Sequence, residues 1–157
     1  MNNRRKLVVA LGAGALAAPL ASFAQPAKVF RVGWISNDRP GNSPFFDEFR
    51  GGMRDLGYVE GRNLVIEARF AEGSAERLNQ LAVELVALKP DVIVTQGGPA
   101  TSPVIHAGAT MPVVFGYSGD PVEGKIAASF ARPGGNLTGM TFLSLELVGK
   151  RMELLKE

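Results

Sequence analysis

The residues best suited to bind a ligand follow a short apolar run, VIV at residues 92–94, in the stretch QGGPAT at 96–101. Two consecutive glycines let the backbone turn sharply and approach a ligand, and Pro99 suits the first turn of a helix. Free amides at a helix start, together with the helix dipole, attract an anion such as a carboxylate. We therefore predict a ligand site at Gly98, Pro99, Ala100 and Thr101, although ordinary strand-to-helix turns often share this composition.

Two other loops carry polar residues that could reach the same ligand. In GYSGDP, at residues 116–121, Tyr117 could stack on a ligand and Asp120 could pair with its amino group. Asp120 is somewhat better explained as a turn residue before Pro121 that bonds its own backbone. Ser36 and Asn37 close the first apolar run and could donate hydrogen bonds, or they could be ordinary loop polarity.

Catalytic and metal-binding patterns are missing from the sequence. It has no cysteine and a single histidine, His106, which excludes thiolate chemistry and histidine clusters that hold zinc. His106 is better explained as a surface or helix-terminal residue than as a catalytic one. There is no G-x-S-x-G elbow and no Walker A run. We expect a binding protein without cofactor or metal; a nucleotide- or sugar-binding α/β enzyme is the disfavoured alternative.

Apolar runs alternate with helix-period runs along the rest of the chain. The predicted strands cover residues 30–35, 63–70, 91–95, 112–115 and 137–142. Between them we expect helices near 45–56, 74–88, 99–109 and 126–130, and a last helix over 144–157. This alternation predicts an α/β fold, a parallel sheet of about five strands flanked by helices. Ligands bind such sheets at the carboxyl ends of the strands, here the loops at 36–44, 96–101 and 116–121.

Three residues predict where helices begin and end. Gly57 follows the first helical pattern, as a C′ glycine does. Ser74 is suited to cap the second helix, whose apolar stripe is expected to contain Leu78, Leu81, Leu85 and Leu88. Pro90 stops that helix.

The N-terminus has the pattern of a secretory signal peptide over residues 1–24. Basic residues Arg4, Arg5 and Lys6 precede an apolar run at 7–20, and small residues then predict cleavage between Ala24 and Gln25. We therefore expect a periplasmic protein, exported by the Sec route or, given Arg4 and Arg5, the twin-arginine route. An uncleaved anchor is disfavoured because the run is short. A G-x-G-x-x-A match at 12–17 fits the same signal better than a dinucleotide site.

The charge of the chain gives no sign of nucleic-acid binding. Of 17 basic residues, three lie in the predicted signal, which leaves 14 against 15 acidic residues, a net charge of about −1. A phosphate backbone would need a basic stripe. The absence of cysteine also argues against a lipoprotein, since lipid attachment needs a thiol.

Several segments together resemble a known family. They are GYVEGRN at 57–63, LKPDVIV at 88–94, GDPV at 119–122, ARPGGNLTG at 131–139 and GKRMELLKE at 149–157. In order and spacing they resemble the ABC transporter substrate-binding proteins related to the tryptophan/tyrosine uptake type. Pro103 departs from the pattern, but it is tolerable so early in a helix.

The resemblance implies a type I periplasmic-binding fold, two lobes closing on an amino acid or similar solute for delivery to a membrane permease. It also implies that the helix start at Gly98, Pro99, Ala100 and Thr101 receives a ligand carboxylate. Such proteins are roughly twice this length. We therefore expect residues 25–143 to form the N-terminal lobe, residues 144–157 to cross toward a second lobe, and these residues alone to bind weakly or not at all. A ligand-sensing domain is the other alternative.

Overall fold

The computed structural model describes residues 28–142 and 147–156. Its strands are β1 Phe30–Ser36, β2 Leu64–Phe70, β3 Val92–Gln96, β4 Val113–Tyr117 and β5 Leu137–Thr141. Its helices are α1 Pro44–Asp55, α2 Ala75–Ala87, α3 Gly98–His106 and α4 Val148–Leu154. Within these residues, no helix is both long and apolar enough to cross a membrane. The predicted α/β class, with a five-stranded sheet flanked by helices, is confirmed.

The five strands form one parallel sheet in the order β2-β1-β3-β4-β5. Along the chain, β2 is added on one side of β1 and β3 is added on its other side. β4 and β5 then follow beyond β3. The order therefore reverses between β1 and β3. In open α/β sheets the crevice at the carboxyl side of such a reversal is where ligands bind.

One face of the sheet carries the main core and is covered by α2 and α3. Ile35 and Ile93 project from this face against Leu78, Leu85 and Val104, all of them buried. Gly33 lies under α2, where an added Cβ would be only 3.1 Å from the Leu85 side chain. This close packing holds β1 and β3 rigidly side by side at the reversal point.

The opposite face is covered only over part of its width. Phe46 and Phe49 of α1 pack on Trp34 of β1, with ring centroids 5.2 and 5.1 Å from the indole, and Phe46 meets Phe70 of β2 edge-on. No residue of α1 is buried. The register places Val94, Val114 and Thr138 beside Trp34 on this face, beyond the reach of α1. An open apolar surface therefore adjoins the reversal point.

Two predicted helix ends are confirmed in detail. The Ser74 hydroxyl accepts a hydrogen bond from the Arg77 amide at 3.2 Å and caps α2. At the end of α1, Gly57 has a positive φ of 86°. The Gly57 amide donates to Arg54 and the Tyr58 amide to Met53, at 2.9 and 2.8 Å, which is the Schellman arrangement.

The predicted helix over 126–130 is wrong, because this segment is made of turns and bends. The amides of Ile126 and Ala127 both donate to the carbonyl of Pro121, and Lys125 has a φ of 56°. A left-handed residue at this point ends the helical turn. Ile126 and Ala127 instead bury their side chains against Phe115. The apolar residues Ile126 and Ala127 therefore indicate burial, but they do not indicate a helix.

Other boundaries differ by a few residues. β4 extends two residues beyond the prediction, to Tyr117, and α3 ends at His106 instead of near residue 109. The predicted stripe of α2 is correct at Leu78 and Leu85, whereas Leu88 is 37% exposed and Ala82 is buried. α4 lies inside the predicted last helix, whose residues 144–146 and 157 are outside the described part. The predicted signal peptide and its cleavage site also lie outside it.

Candidate functional site

A cleft of about 470 Å³ opens at the reversal point, between α1 and the uncovered part of the sheet. We call it the switch-point cleft. It is lined by Trp34, Phe45, Glu48, Phe49, Val94, Thr95, Gln96, Gly97, Val114, Phe115, Gly116, Ser118, Met140 and Phe142. Its volume falls in the range of sites for small organic molecules, which are typically apolar with a few polar groups.

Two polar atoms buried in the cleft wall have no partner among the described residues. They are Nε1 of Trp34 and Oε1 of Gln96. Trp34 as a whole is only 3% exposed. A buried polar atom without a hydrogen bond costs about 1–3 kcal/mol, so such atoms are rare and call for a specific explanation.

Aromatic side chains form much of the wall and the mouth of the cleft. The rings of Trp34 and Phe49 pack against each other at an angle of 31°, whereas Phe45 and Phe142 are 59% and 55% exposed. Large aromatic side chains left in water next to one another are typical of binding surfaces. Glu48 of α1 is the one charged residue in the lining.

The helix start predicted to hold a carboxylate is present but offers fewer donors than expected. Gly97 has a φ of 82°, and α3 begins at Gly98. The amides of Ala100 and Thr101 both donate to the Gly97 carbonyl at 3.2 Å, and Pro99 has no N–H. Of this first turn, the Gly98 amide is therefore the donor left for a ligand.

The side chains of Ala100 and Thr101 do not face the cleft. Both residues are fully buried on the core face of the sheet. The Thr101 hydroxyl lies 2.8 Å from the hydroxyl of Thr95 and donates to the Gly97 carbonyl at 2.9 Å. These bonds fasten α3 to β3, so in this structure Thr101 supports the loop and does not contact a ligand. Pro99 is exposed at the helix start.

Ser36 and Asn37 hold the loop that follows β1. Ser36 is fully buried, and its hydroxyl accepts from the Asp38 amide at 3.2 Å. The side-chain oxygen of Asn37 accepts from the Gly73 amide at 3.1 Å. Asp38 in turn accepts from the Ser43 hydroxyl at 2.6 Å, directly before α1. Through Asp38, Ser36 therefore positions α1 and its aromatic side chains, whereas Asn37 ties this loop to the segment before α2.

Tyr117 and Asp120 lie beside the cleft rather than in its lining. The Tyr117 ring fits between two glycines: a Cβ at Gly98 would be 2.3 Å from Cε2, and one at Gly124 would be 2.4 Å from the hydroxyl oxygen. Asp120 accepts from the amides of Val122 and Glu123 at 2.7 and 3.1 Å, as expected of a turn residue.

Sequence reasoning missed the residues that form the cleft itself, above all Trp34, Glu48 and Gln96. Their positions in the strands could have indicated two of these residues, Trp34 and Gln96. Trp34 and Gln96 stand at the carboxyl ends of neighbouring strands, at positions of the same parity in register, and so face the same side of the sheet. The helix that covers that side, however, could not be assigned from the sequence.

The described residues hold no metal-type cluster. In 28–142 and 147–156, no group of three or more histidine, cysteine, aspartate or glutamate residues could hold an ion. His106 is exposed at the end of α3.

At the opposite end of the sheet, the Arg31 amide and the Lys28 ammonium both bind Asp91, at 2.8 and 2.9 Å, and hold the pKa of its carboxyl below the usual value.

A parallel sheet whose strand order reverses beside an aromatic cleft is the arrangement in which α/β proteins bind small ligands. Comparison with known proteins gives the family. The family model for "ABC transporter substrate binding protein" matches residues 38–157, more than half of the chain. The chain belongs to this family.

Two relatives agree. A tyrosine-binding protein of Clostridioides difficile (strain R20291) is 30% identical over 105 residues, which are 66% of this chain and 30% of that protein. The crystal structure of a conserved domain protein from Vibrio cholerae is 32% identical, with a TM-score of 0.72 over 83% of this chain and 44% of that one.

A third comparison concerns the fold alone. An ABC domain from Streptococcus pneumoniae, solved in complex with L-Trp, matches with a TM-score of 0.62 at 24% identity, over 73% of this chain and 39% of that one. The chain therefore spans less than half the length of each of these relatives.

Proposed function

We propose that this chain is part of the solute-capturing component of an ABC importer. It presents the switch-point cleft to a small organic solute, an amino acid or related carboxylate, for delivery to a membrane permease. The observation that carries the proposal is the aromatic cleft at the strand-order reversal. The permease follows from the family description, and the solute class is favoured by the tyrosine-binding relative.

The cleft offers a distinct environment to each part of an aromatic amino acid. A ring packs against Trp34 and Phe49, where stacking adds about 0.5–1.5 kcal/mol to apolar burial. A carboxylate accepts from the Gly98 amide at the positive end of α3. An ammonium group pairs with Glu48 at the rim. Glu48 takes the role predicted for Asp120, whose carboxylate already caps a turn.

The described residues form one wall of a site. In the proposal a second lobe closes over the cleft and covers the exposed rings of Phe45 and Phe142. A solute held on one side only keeps part of its surface in water. We therefore expect these residues alone to bind more weakly than the two-lobed protein.

We further propose that residues 1–24 direct export to the periplasm and are removed before Gln25. The family is one of transport proteins, and the export pattern of these residues supports this location. In this proposal the protein is not an enzyme, carries no lipid and binds neither a cofactor nor nucleic acid.

Trp34 provides the test, because it is the single tryptophan of the chain and lies in the cleft wall. Its fluorescence is followed while each of the 20 standard amino acids and a set of small carboxylates is added, with folding checked by circular dichroism. A saturable change with an aromatic or related amino acid is expected. A folded protein whose emission responds to none of them contradicts the proposal.

A further inference from the structure

The proposed function leaves open which charged end of a solute the switch-point cleft recognises, and the charge of its lining bears on that choice. Of the 14 residues that line the cleft, five are aromatic, one is acidic and none is basic. The acidic residue is Glu48, which lies on the exposed side of α1. Because the only fixed charge of the lining is negative, it attracts a cationic group and repels an anionic one.

The aromatic side chains next to Glu48 favour the same kind of group. Phe45 precedes Glu48 by three residues and Phe49 follows it directly, and all three line the cleft. Residues three apart on a helix are neighbours on its surface, and the ring of Phe45 is 59% exposed. The face of an aromatic ring carries partial negative charge, so it attracts a cation and disfavours an anion.

A carboxylate finds much less at this wall. Of the start of α3, only Gly97 belongs to the lining. The amides of Ala100 and Thr101 already donate to the Gly97 carbonyl at 3.2 Å, and Pro99 has no N–H, which leaves the Gly98 amide. An ionised carboxylate can accept about four hydrogen bonds and is bound most firmly by a basic side chain. The described wall is therefore better suited to the amino end of a solute than to its acidic end.

Resting on the proposed function, we infer that the switch-point cleft recognises a cationic amino group attached to an aromatic side chain, and that the carboxylate of an amino acid is dispensable for binding to this wall. The solutes that fit are arylalkylamines, of which the aromatic amino acids are the members that also carry a carboxylate. Aromatic acids without an amino group do not fit, because Glu48 and the ring faces disfavour their charge.

Four compounds with the same ring vary only in their charged groups. 2-Phenylethylamine is a cation near neutral pH, 3-phenylpropionate is an anion, 2-phenylethanol is neutral, and L-phenylalanine carries both charges. Each is titrated into the ¹⁵N-labelled chain while the indole N–H signal of Trp34, the single tryptophan, is followed. The phenol and indole counterparts of each compound are titrated in the same way, so that the result does not depend on one ring.

We expect the amine to bind within about threefold of the amino acid, and about tenfold more tightly than the acid, with the alcohol between them. The expected ratio combines attraction of the amine and repulsion of the acid by Glu48, since each effect at an exposed side chain changes affinity by roughly two- to fivefold.

Variants of α1 assign the preference to Glu48. Glu48→Gln should bring the amine-to-acid affinity ratio down to about two, the part that the aromatic rings contribute, and Glu48→Lys should reverse the preference. Asp47→Asn makes the same change of charge one residue earlier, outside the lining, and should keep the ratio. Positions 47 and 48 are both exposed, so these variants are expected to fold.

The outcomes separate this inference from the function on which it rests. An acid that binds as tightly as the amine, or an amine that binds more than about tenfold more weakly than the amino acid, overturns the inference and leaves solute capture standing. A ratio that survives in Glu48→Gln, or that falls equally in Asp47→Asn, also overturns it. If none of the compounds binds, the proposed function fails and the inference with it.

Discussion

The ring of Tyr117 occupies the space that a side chain at position 98 would need. A Cβ at Gly98 would lie 2.3 Å from Cε2 of the ring, closer than real Cβ atoms approach. Glycine is therefore required here by packing, where β4 ends and α3 begins, and not only by the turn at Gly97. The packing of the first turn of α3 against β4 depends on this contact.

Gly98→Ala should destabilise the protein by about 1–3 kcal/mol, the usual cost of overpacking. Denaturant unfolding measures this, and the cost should shrink in a Tyr117→Leu background. The matched control is Gly52→Ala in α1, where a Cβ meets nothing within 4 Å and helix propensity should add about 1 kcal/mol of stability. An equal cost for Gly98→Ala with and without Tyr117 would contradict the packing account.

The hydrogen bond between Thr95 and Thr101 allows a test of whether Thr101 stabilises the fold or contacts the solute. Thr101→Val leaves the buried Thr95 hydroxyl without its 2.8 Å partner and should cost about 1–3 kcal/mol of stability. The double variant Thr95→Val/Thr101→Val should recover most of that loss, because both partners are then apolar. Unfolding curves of the parent protein and of these two variants form the test.

The affinity for the solute also tests whether Thr101 has a structural role and does not bind the solute. In the Thr101→Val variant, measured where the protein is fully folded, affinity should stay within about twofold of the parent, since the hydroxyl faces the core. A large loss of affinity with little loss of stability would place Thr101 in the ligand site after all.

Glu48→Gln should weaken binding of an amino acid roughly two- to fivefold, because an ion pair at an exposed rim contributes at most about 1 kcal/mol. Asp47→Asn is the control: it makes the same change of charge one residue earlier, outside the cleft lining. Trp34 fluorescence titrations at low and moderate salt measure both. An equal loss in the two variants would show a general charge effect instead of a contact with the solute.

We expect the stability of the protein to depend on pH through Asp91. Its folded-state pKa is lowered, first by the hydrogen bond from the Arg31 amide and then by Lys28. A lowered folded pKa contributes stability that is present above the unfolded pKa, near 3.9, and is lost as the pH falls through the folded value.

Asp91→Asn should therefore remove part of the decline in stability below about pH 4 and lower stability near neutral pH. Urea unfolding midpoints between pH 3 and 7 measure the difference between the two proteins. The same decline in both would show that Asp91 does not contribute to it.

The export prediction is tested in cells. Mass spectrometry of the secreted product should find an N-terminus at Gln25, and replacing Arg4 and Arg5 by lysine distinguishes the two routes. Loss of export in this double variant indicates the twin-arginine route, since the Sec route accepts lysine. A full-length product that stays in the cytoplasm would contradict the signal peptide.

Most of the fold follows from local pattern. Apolar runs at 30–35 and 92–94 predicted central strands, and Ser74 and Gly57 marked helix ends through their own hydrogen bonds. The prediction for 126–130 failed because Ile126 and Ala127 are buried by a turn, in which their amides share one carbonyl acceptor, whereas Phe130 is exposed. The spacing of apolar residues along the sequence does not indicate that two amides share one acceptor.

The site was predicted less well, for a physical reason. Loop composition drew attention to the carboxyl ends of β1 and β3, where the switch-point cleft opens. Which side chains meet there depends on the strand register and on which face α1 covers, and both arise from long-range packing. Thr101 could thus be proposed as a ligand-binding residue although it faces the core, and Trp34 was not proposed although it lines the cleft.

The central claim is that the switch-point cleft binds a small solute, and thermal unfolding tests it most directly. A solute that binds only the folded state must raise the midpoint. The account predicts a concentration-dependent rise with an aromatic amino acid, and no rise in Val114→Phe, in which a larger side chain fills the cleft. A cooperative transition that no amino acid or carboxylate shifts, or a rise that persists in Val114→Phe, would contradict it.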